Sequence, residues 1–121
     1  MPDMQGAVRE ALATDRTIDI TTTGRKSGQP RRTEIWFRNA GGRIFITGLP
    51  GTRSWLANMR ASPEFTFDLK ESVKADLPAR ARFITDDAER RRVLELLLAG
   101  TSSPDFEEWV ARSPLVEVEF L

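Results

Sequence analysis

Four cations and a hydroxyl crowd one short stretch of this chain. Arg25, Lys26, Ser27, Arg31 and Arg32 all fall within residues 21–32. Guanidinium and ammonium groups at that density make charge-assisted hydrogen bonds to phosphate or carboxylate, and exposed backbone N–H groups add donors. Gly24 and Gly28 bracket Arg25, Lys26 and Ser27, so a tight turn with positive φ is expected there. An anion site at a hairpin tip is one reading. A solvated basic hairpin is the other, because charged turns are common on surfaces. Spacing alone leaves both open. A phosphate-binding loop of the nucleotide-hydrolase kind is excluded, since that pattern requires Gly before Lys-Ser and Arg25 holds the place.

The rest of the chain offers little acid–base chemistry near neutrality. It contains no histidine, no cysteine and no tyrosine. Disulfides, thiol nucleophiles, imidazole or thiolate metal sites and a Ser-His-Asp triad are therefore ruled out. Asp86-Asp87 reads as a helix cap rather than a metal site, so no metal is expected. An enzyme built from these side chains takes its chemistry from a cofactor. Lys and Arg together number 18 and balance 18 Asp and Glu, which argues against nucleic acid as a partner. The charge is uneven, with four cations and no acid in residues 24–32. A local anion site fits that distribution.

With 121 residues, 40% hydrophobic and 30% charged, the chain fits one folded domain spanning 1–121. No run of about 18 apolar residues is present, so no spanning helix is expected. Met1-Pro2-Asp3-Met4-Gln5 lacks a signal-peptide pattern, which predicts a cytoplasmic protein.

Hydrophobic periodicity supplies the elements. Residues 4–14 form a helix with Val8, Leu12 and Met4 on one face. Ile18, Ile20 and Thr22 alternate with Thr17, Asp19 and Thr21 in a first strand, 17–23. A second strand, 30–38, turns Ile35 and Phe37 one way and Glu34, Trp36 and Arg38 the other. Strand 43–48 follows a Gly41-Gly42 turn. Thr52 is the expected N-cap of a helix through Arg60 that carries Trp55, Leu56 and Met59. Strands 64–70 and 73–85 come next, the second bulged or at an edge at Pro78, which cannot donate to a ladder. Asp86-Asp87 opens a helix that Gly100 closes, and Arg90-Arg91-Arg92 form its solvated face. Ser103-Pro104-Asp105 opens another, with Phe106, Trp109 and Val110 inward, and 115–120 is the last strand. The fold class is mainly β with short helices. Six or so antiparallel strands joined by tight turns are expected to close into a small barrel.

Thr22-Thr23-Gly24-Arg25-Lys26-Ser27-Gly28-Gln29-Pro30-Arg31, then Gly41-Gly42-Arg43, Trp55-Leu56-Ala57-Asn58, Ala61-Ser62-Pro63 and Ser113-Pro114-Leu115-Val116 together resemble the deazaflavin-dependent nitroreductase family. The resemblance covers about residues 15–120. It implies a split β-barrel of the flavin-reductase kind and reduced coenzyme F420 as hydride donor to a quinone, nitro compound or activated alkene. In that family the Gly-Arg-Lys-Ser-Gly turn holds the cofactor's phosphate and acidic tail, roles that fall by match on Arg25, Lys26, Ser27 and Arg31. The expected cofactor-binding set is completed by Gly28, Thr47, Gly48, Arg53, Trp55 and Asn58. Arg53 is expected to replace a family lysine. Where family members carry phenols beside the substrate, this chain has Trp36, Phe106 and Trp109, which stack on a planar acceptor but donate no phenolic proton. Flavin mononucleotide on the same barrel and a carrier module without turnover are the alternatives. Small split barrels often pair, so a homodimer is also expected.

Overall fold

Alternation decides the barrel wall. Ile18 and Ile20 are fully buried and Thr22 nearly so, while Thr17, Asp19 and Thr21 lie on the outer face. The computed structural model describes residues 4–99 and 105–121. Its six strands are β1 (Thr17–Thr23), β2 (Pro30–Ala40), β3 (Arg43–Thr47), β4 (Glu64–Leu69), β5 (Ala75–Phe83) and β6 (Leu115–Phe120). They close in the order β1-β2-β3-β6-β5-β4, every pair antiparallel. Each strand has a neighbour on both sides over part of its length, so the sheet has no open edge strand. The split β-barrel expected from the sequence is the fold observed.

Inside the barrel, Phe37 and Phe67 meet edge to face at 5.2 Å, and Phe67 meets the part-exposed Phe120 in the same manner at 5.3 Å. Helix α1 (Met4–Thr14) sends Ala11 fully into this core, with Val8 and Leu12 beside it. Helix α2 (Ser54–Ala61) contributes Trp55 and Met59. Burial of a side chain of this size favours folding by about 1.5–3 kcal/mol. A second core lies outside the wall. Helices α3 (Asp87–Leu97) and α4 (Phe106–Arg112) cover Phe45 and Leu115, which point away from the barrel interior yet are buried. That cover explains why β3 is apolar on both faces.

Several local expectations are corrected. The N-cap of α2 is Arg53, not Thr52, and no side chain caps it. Of the two expectations for Pro78 the bulge fails, since the residue sits in an unbroken β4–β5 register opposite Thr66, and the edge holds, since the β5–β6 ladder stops at Ala79. The missing Pro78 donor faces the β6 side, where the ladder ends at the Ala79–Phe120 pair and Leu121 N–H donates to Pro78 O. Arg90 is not on a solvated face. Its guanidinium donates to the carbonyls of Ile84, Trp109, Val110 and Ser113, at 2.6–3.3 Å. It closes the C-terminal turn of α4, whose last carbonyls have no helical partner. Asp86 and Asp105 cap α3 and α4, accepting from the N–H groups of Glu89 and Glu108. Gly100, Ser103 and Pro104 lie outside the described residues.

Candidate cofactor-binding site

The turn between β1 and β2 is fixed by its own backbone. Gly24 N–H donates to Gln29 O and Gly28 N–H to Gly24 O, each at 2.8 Å. Gly28 takes φ +71°, the left-handed conformation that glycine adopts without strain. Gly24 is needed for another reason. A Cβ there would sit 2.7 Å from Ser27 Oγ and 3.2 Å from Gln29 O, so the Ser27 side chain and the turn backbone would both have to shift. The Ser27 hydroxyl accepts from Gln29 N–H at 3.2 Å, inside the turn.

Helix α2 is latched to this turn. Asn58 Oδ1 accepts the backbone N–H of Arg25 at 3.1 Å, and Asn58 Nδ2 donates to Thr22 Oγ1 at 3.3 Å. Asn58 is 6% exposed, so both bonds are shielded from water. Trp55, one turn earlier on the same face, packs into the barrel core and also borders the space beside the turn.

Between turn and helix lies a cavity of about 400 Å³. Arg25, Lys26, Ser27 and Arg31 line it with Ser54, Trp55 and Asn58. Six of the expected cofactor-binding residues are thus brought together. Arg32 and Thr33 also reach it, but Arg32 is not a free cation. Its Nε donates to Asp19 at 2.8 Å, and Nη1 lies 3.7 Å from Asp68. Asp19 and Asp68 stand directly opposite each other in the β1–β4 register. Asp68 is 2% exposed, and burial, with Asp76 across the next strand pair, pushes its carboxyl up. Arg25, Lys26 and Arg31 form no ion pair among the described residues, so three cations face the cavity uncompensated. The uncapped first turn of α2 ends at the same cavity through Ser54 and Trp55. Its unpaired N–H groups and dipole favour an anion there. Ser54 was not foreseen; its place in the first turn after Pro50-Gly51 was the available signal.

The remaining expected residues lie elsewhere. Gly28 belongs to the turn but borders a separate hollow on its other side. Thr47 Oγ1 donates to Pro114 O at 2.7 Å. Arg53 donates to the carbonyls of its own loop, Thr52 and Leu49, both at 2.9 Å. Gly48 adjoins Arg53 and Pro114. Thr47, Gly48 and Arg53 thus gather at the β3–α2 loop, outside this cavity. Trp36 stands on the outer face of β2, 57% exposed, with the Arg38 guanidinium 5.8 Å from its ring centre. Phe106 and Trp109 pack against the α3–α4 core. None of these three aromatics lines the cavity of the turn and α2.

The chemistry of this cavity fits a cofactor with a phosphate and an acidic tail. Three uncompensated cations and open backbone donors answer a polyanion, and Trp55 adds an apolar contact beside them. Among the described residues no group of acids could hold a metal ion, and no helix is long and apolar enough to cross a membrane. Known structures share the fold. A candidate 5-nitroimidazole antibiotic resistance protein from Bacteroides thetaiotaomicron is 14% identical, with 99% of this chain and 81% of that one covered and a TM-score of 0.70. An F420 reductase is 17% identical over 100% and 96% of the two chains, with a TM-score of 0.63. A FAD-binding protein from Mesorhizobium loti is 14% identical over 99% and 91%, with a TM-score of 0.66. The family model described as F420H(2)-dependent quinone reductase matches residues 3–119. Coenzyme F420 is the cofactor this match specifies, and its polyanionic tail is what the cationic cavity suits. The chain belongs to the F420H(2)-dependent quinone reductase family.

Proposed function

We propose that this reductase passes hydride from reduced F420 to a quinone, and that the cavity between the β1–β2 turn and α2 anchors the coenzyme. The observation that carries the reading is the trio Arg25, Lys26 and Arg31, uncompensated beside the uncapped end of α2. When bound, the coenzyme supplies the hydride from its deazaflavin ring. Everything else falls to this chain's own groups. Arg25, Lys26 and Arg31 hold the phosphate and tail carboxylates. Asn58 keeps the turn at a fixed distance from α2, so the anchored end has one position. Trp55 walls the cavity and excludes water on that side. Fixing the reductant in this manner turns a bimolecular encounter into an oriented one.

Reduction of a quinone to a hydroquinone takes one hydride and one proton, and oxidation of the reduced coenzyme releases one proton with its hydride, so the reaction balances. With no histidine, cysteine or tyrosine in the chain, we assign the relay of that proton to water. Trp36 is the aromatic surface offered to a planar acceptor, since its ring is exposed and electron-rich. Following oxidation of reduced F420 by its absorbance, with menadione as acceptor, tests the reading. The expected result is saturable turnover that disappears when FMNH2 replaces reduced F420. Turnover supported equally by FMNH2 would overturn the cofactor assignment, and none with any quinone would overturn the acceptor.

A further inference from the structure

A row of carboxylates crosses the outer face of the barrel. Glu34 on β2, Asp19 on β1, Asp68 on β4 and Asp76 on β5 stand opposite one another, strand by strand, in the β1–β2, β1–β4 and β4–β5 registers. Like charges placed directly opposite repel. Among the described residues, two cations pair with these acids. Lys70 reaches Asp19 at 2.8 Å and also Glu34. Arg32 donates from Nε to Asp19 at 2.8 Å and brings Nη1 to 3.7 Å from Asp68.

The row is unevenly served. Asp19 accepts from both cations, and Lys70 first, then Arg32, hold its carboxyl below the usual range. Asp68 is the buried member, 2% exposed, and Arg32 at 3.7 Å is the nearest cation to it. Its Oδ2 accepts the Thr21 hydroxyl at 2.7 Å. Burial pushes its carboxyl up, Asp76 adds to that, and the Thr21 hydroxyl and Arg32 offset it only in part. Asp68 therefore takes up a proton before Asp19 as pH falls. Arg32 has a second neighbourhood. It borders the cofactor cavity together with Arg25, Lys26 and Arg31. Asp19 and Asp68 face its Nε and Nη1, which leaves Nη2 to donate to a ligand.

We propose that Arg32 is a proton-controlled fourth cation of the cofactor cavity, and that Asp68 is the positioning residue that governs it. With Asp68 ionised, Arg32 serves two carboxylates and its charge is neutralised by the row. With Asp68 protonated, one carboxylate remains, and Arg32 adds its attraction to the phosphate and acidic tail of the coenzyme. Linkage is reciprocal, so a bound polyanion raises the proton affinity of Asp68. The inference rests on the assignment of this cavity to F420 and adds to it a pH dependence that the three free cations do not supply.

The test compares oxidised F420 affinity of the wild type and Asp68→Asn between pH 8 and pH 4, so that ionisation of the coenzyme itself cancels. Asp68→Asn keeps the size of the side chain and an acceptor for Thr21. At pH 8 it should bind about fivefold more tightly than wild type, and the ratio should fall to one below the Asp68 midpoint. Arg32→Gln should abolish the advantage of Asp68→Asn. NMR spectra of the ligand-free wild type should show Arg32 Nε moving with the same midpoint as the Asp68 carboxyl carbon. Asp76→Asn, at an exposed position, removes a like charge and should carry both the midpoint and the affinity step to lower pH. If Asp68→Asn does not fold, that displacement decides the matter alone. A ratio that does not change with pH, an advantage that survives Arg32→Gln, or an Asp68 carboxyl that titrates at or below the ordinary aspartate value overturns the proposal. Failure of all these proteins to bind F420 overturns the cofactor assignment instead, and the Arg32 Nε titration still decides whether Asp68 governs Arg32.

Discussion

The backbone N–H of Arg25 donates to the side-chain carbonyl of Asn58 at 3.1 Å, across 33 positions of sequence. This bond joins the cationic turn to the helix that faces it. Removing it in Asn58→Ala leaves the Arg25 N–H without its partner and the Thr22 hydroxyl with only its long contact to Arg31 O, a cost of about 1–3 kcal/mol. Chemical denaturation should show that loss, and F420 affinity should fall with it. Asn58→Asp keeps the acceptor but places a carboxylate beside Arg25. Its effect on F420 affinity should exceed its effect on stability. If Asn58→Asp binds F420 as wild type does, the latch does not border the anion site.

Arg25→Ala with Lys26→Ala should weaken F420 binding by about 2–4 kcal/mol, from two overlapping charge-assisted contacts. Both side chains are exposed and in no ion pair among the described residues, and the Arg25 guanidinium makes only a long contact to Asn58 Oδ1 at 3.5 Å, so thermal stability should hold. Salt gives an independent reading. Screening lengths shrink from about 30 Å at 0.01 M to about 3 Å at 1 M, so a polyanionic tail should lose affinity steeply with ionic strength. Flavin mononucleotide, with one phosphate, should lose less. Equal salt slopes, or a double variant with unchanged affinity, would remove the anion site from the turn.

Most of the barrel was legible because its strands obey a two-residue period. Ile18 and Ile20, Phe65 and Phe67, Ala79 and Ala81 each announce an inner face. The turn was legible as well, since Gly24 and Gly28 enclose its cations. What a linear reading lacks is lateral register. Arg32 looks like a fourth anion-binding cation until β1 and β4 bring Asp19 and Asp68 beside it. Arg90 looks like one member of a solvated run until α4 folds back and its end, with Ile84, surrounds the guanidinium with four carbonyls. The resemblance named Asn58 on the same helix as Trp55, but spacing did not give its 33-residue return to the turn. Thr52 has the right chemistry for an N-cap, yet the helix begins one residue too late to use it.

Glu117 on β6 accepts from Arg43 through both oxygens at 2.9 Å, and from Arg82 at 2.7 and 3.0 Å. Arg43 first, then Arg82, hold its carboxyl down at about 2, against an ordinary value of 4.5. The folded state therefore favours the ionised form. That stability is complete above the unfolded value and is lost as pH falls toward 2. Glu117→Gln should lose about 1–3 kcal/mol at pH 7, and its stability should approach wild type between about pH 5 and pH 2. Urea unfolding at stepped pH measures this. Parallel curves for the two proteins across that window would mean the bridge contributes nothing net.

Trp36 presents the clearest test of where the acceptor lies. Alternation along β2 turns Phe37 into the core and Trp36 outward, where 57% of it remains exposed. A ring of that size in water is unfavourable at about 25 cal/mol per Å² of apolar surface, and Arg38 covers it only from one side. A planar quinone stacked on the free face would remove that surface and gain aromatic contact. Trp36→Ala should then raise the Michaelis constant for menadione several-fold, while the melting temperature stays close to wild type, as for most exposed sites. Trp36→Tyr should keep menadione affinity and raise activity toward a nitroaromatic by restoring a phenolic donor. Sedimentation of both proteins covers the competing explanation, that a second copy of the chain shields the ring. A wild-type dimer that Trp36→Ala converts to monomer, with kinetics unchanged, assigns the ring to an interface. Loss of several degrees of stability with unchanged kinetics assigns it to packing, and in either case the acceptor binds elsewhere.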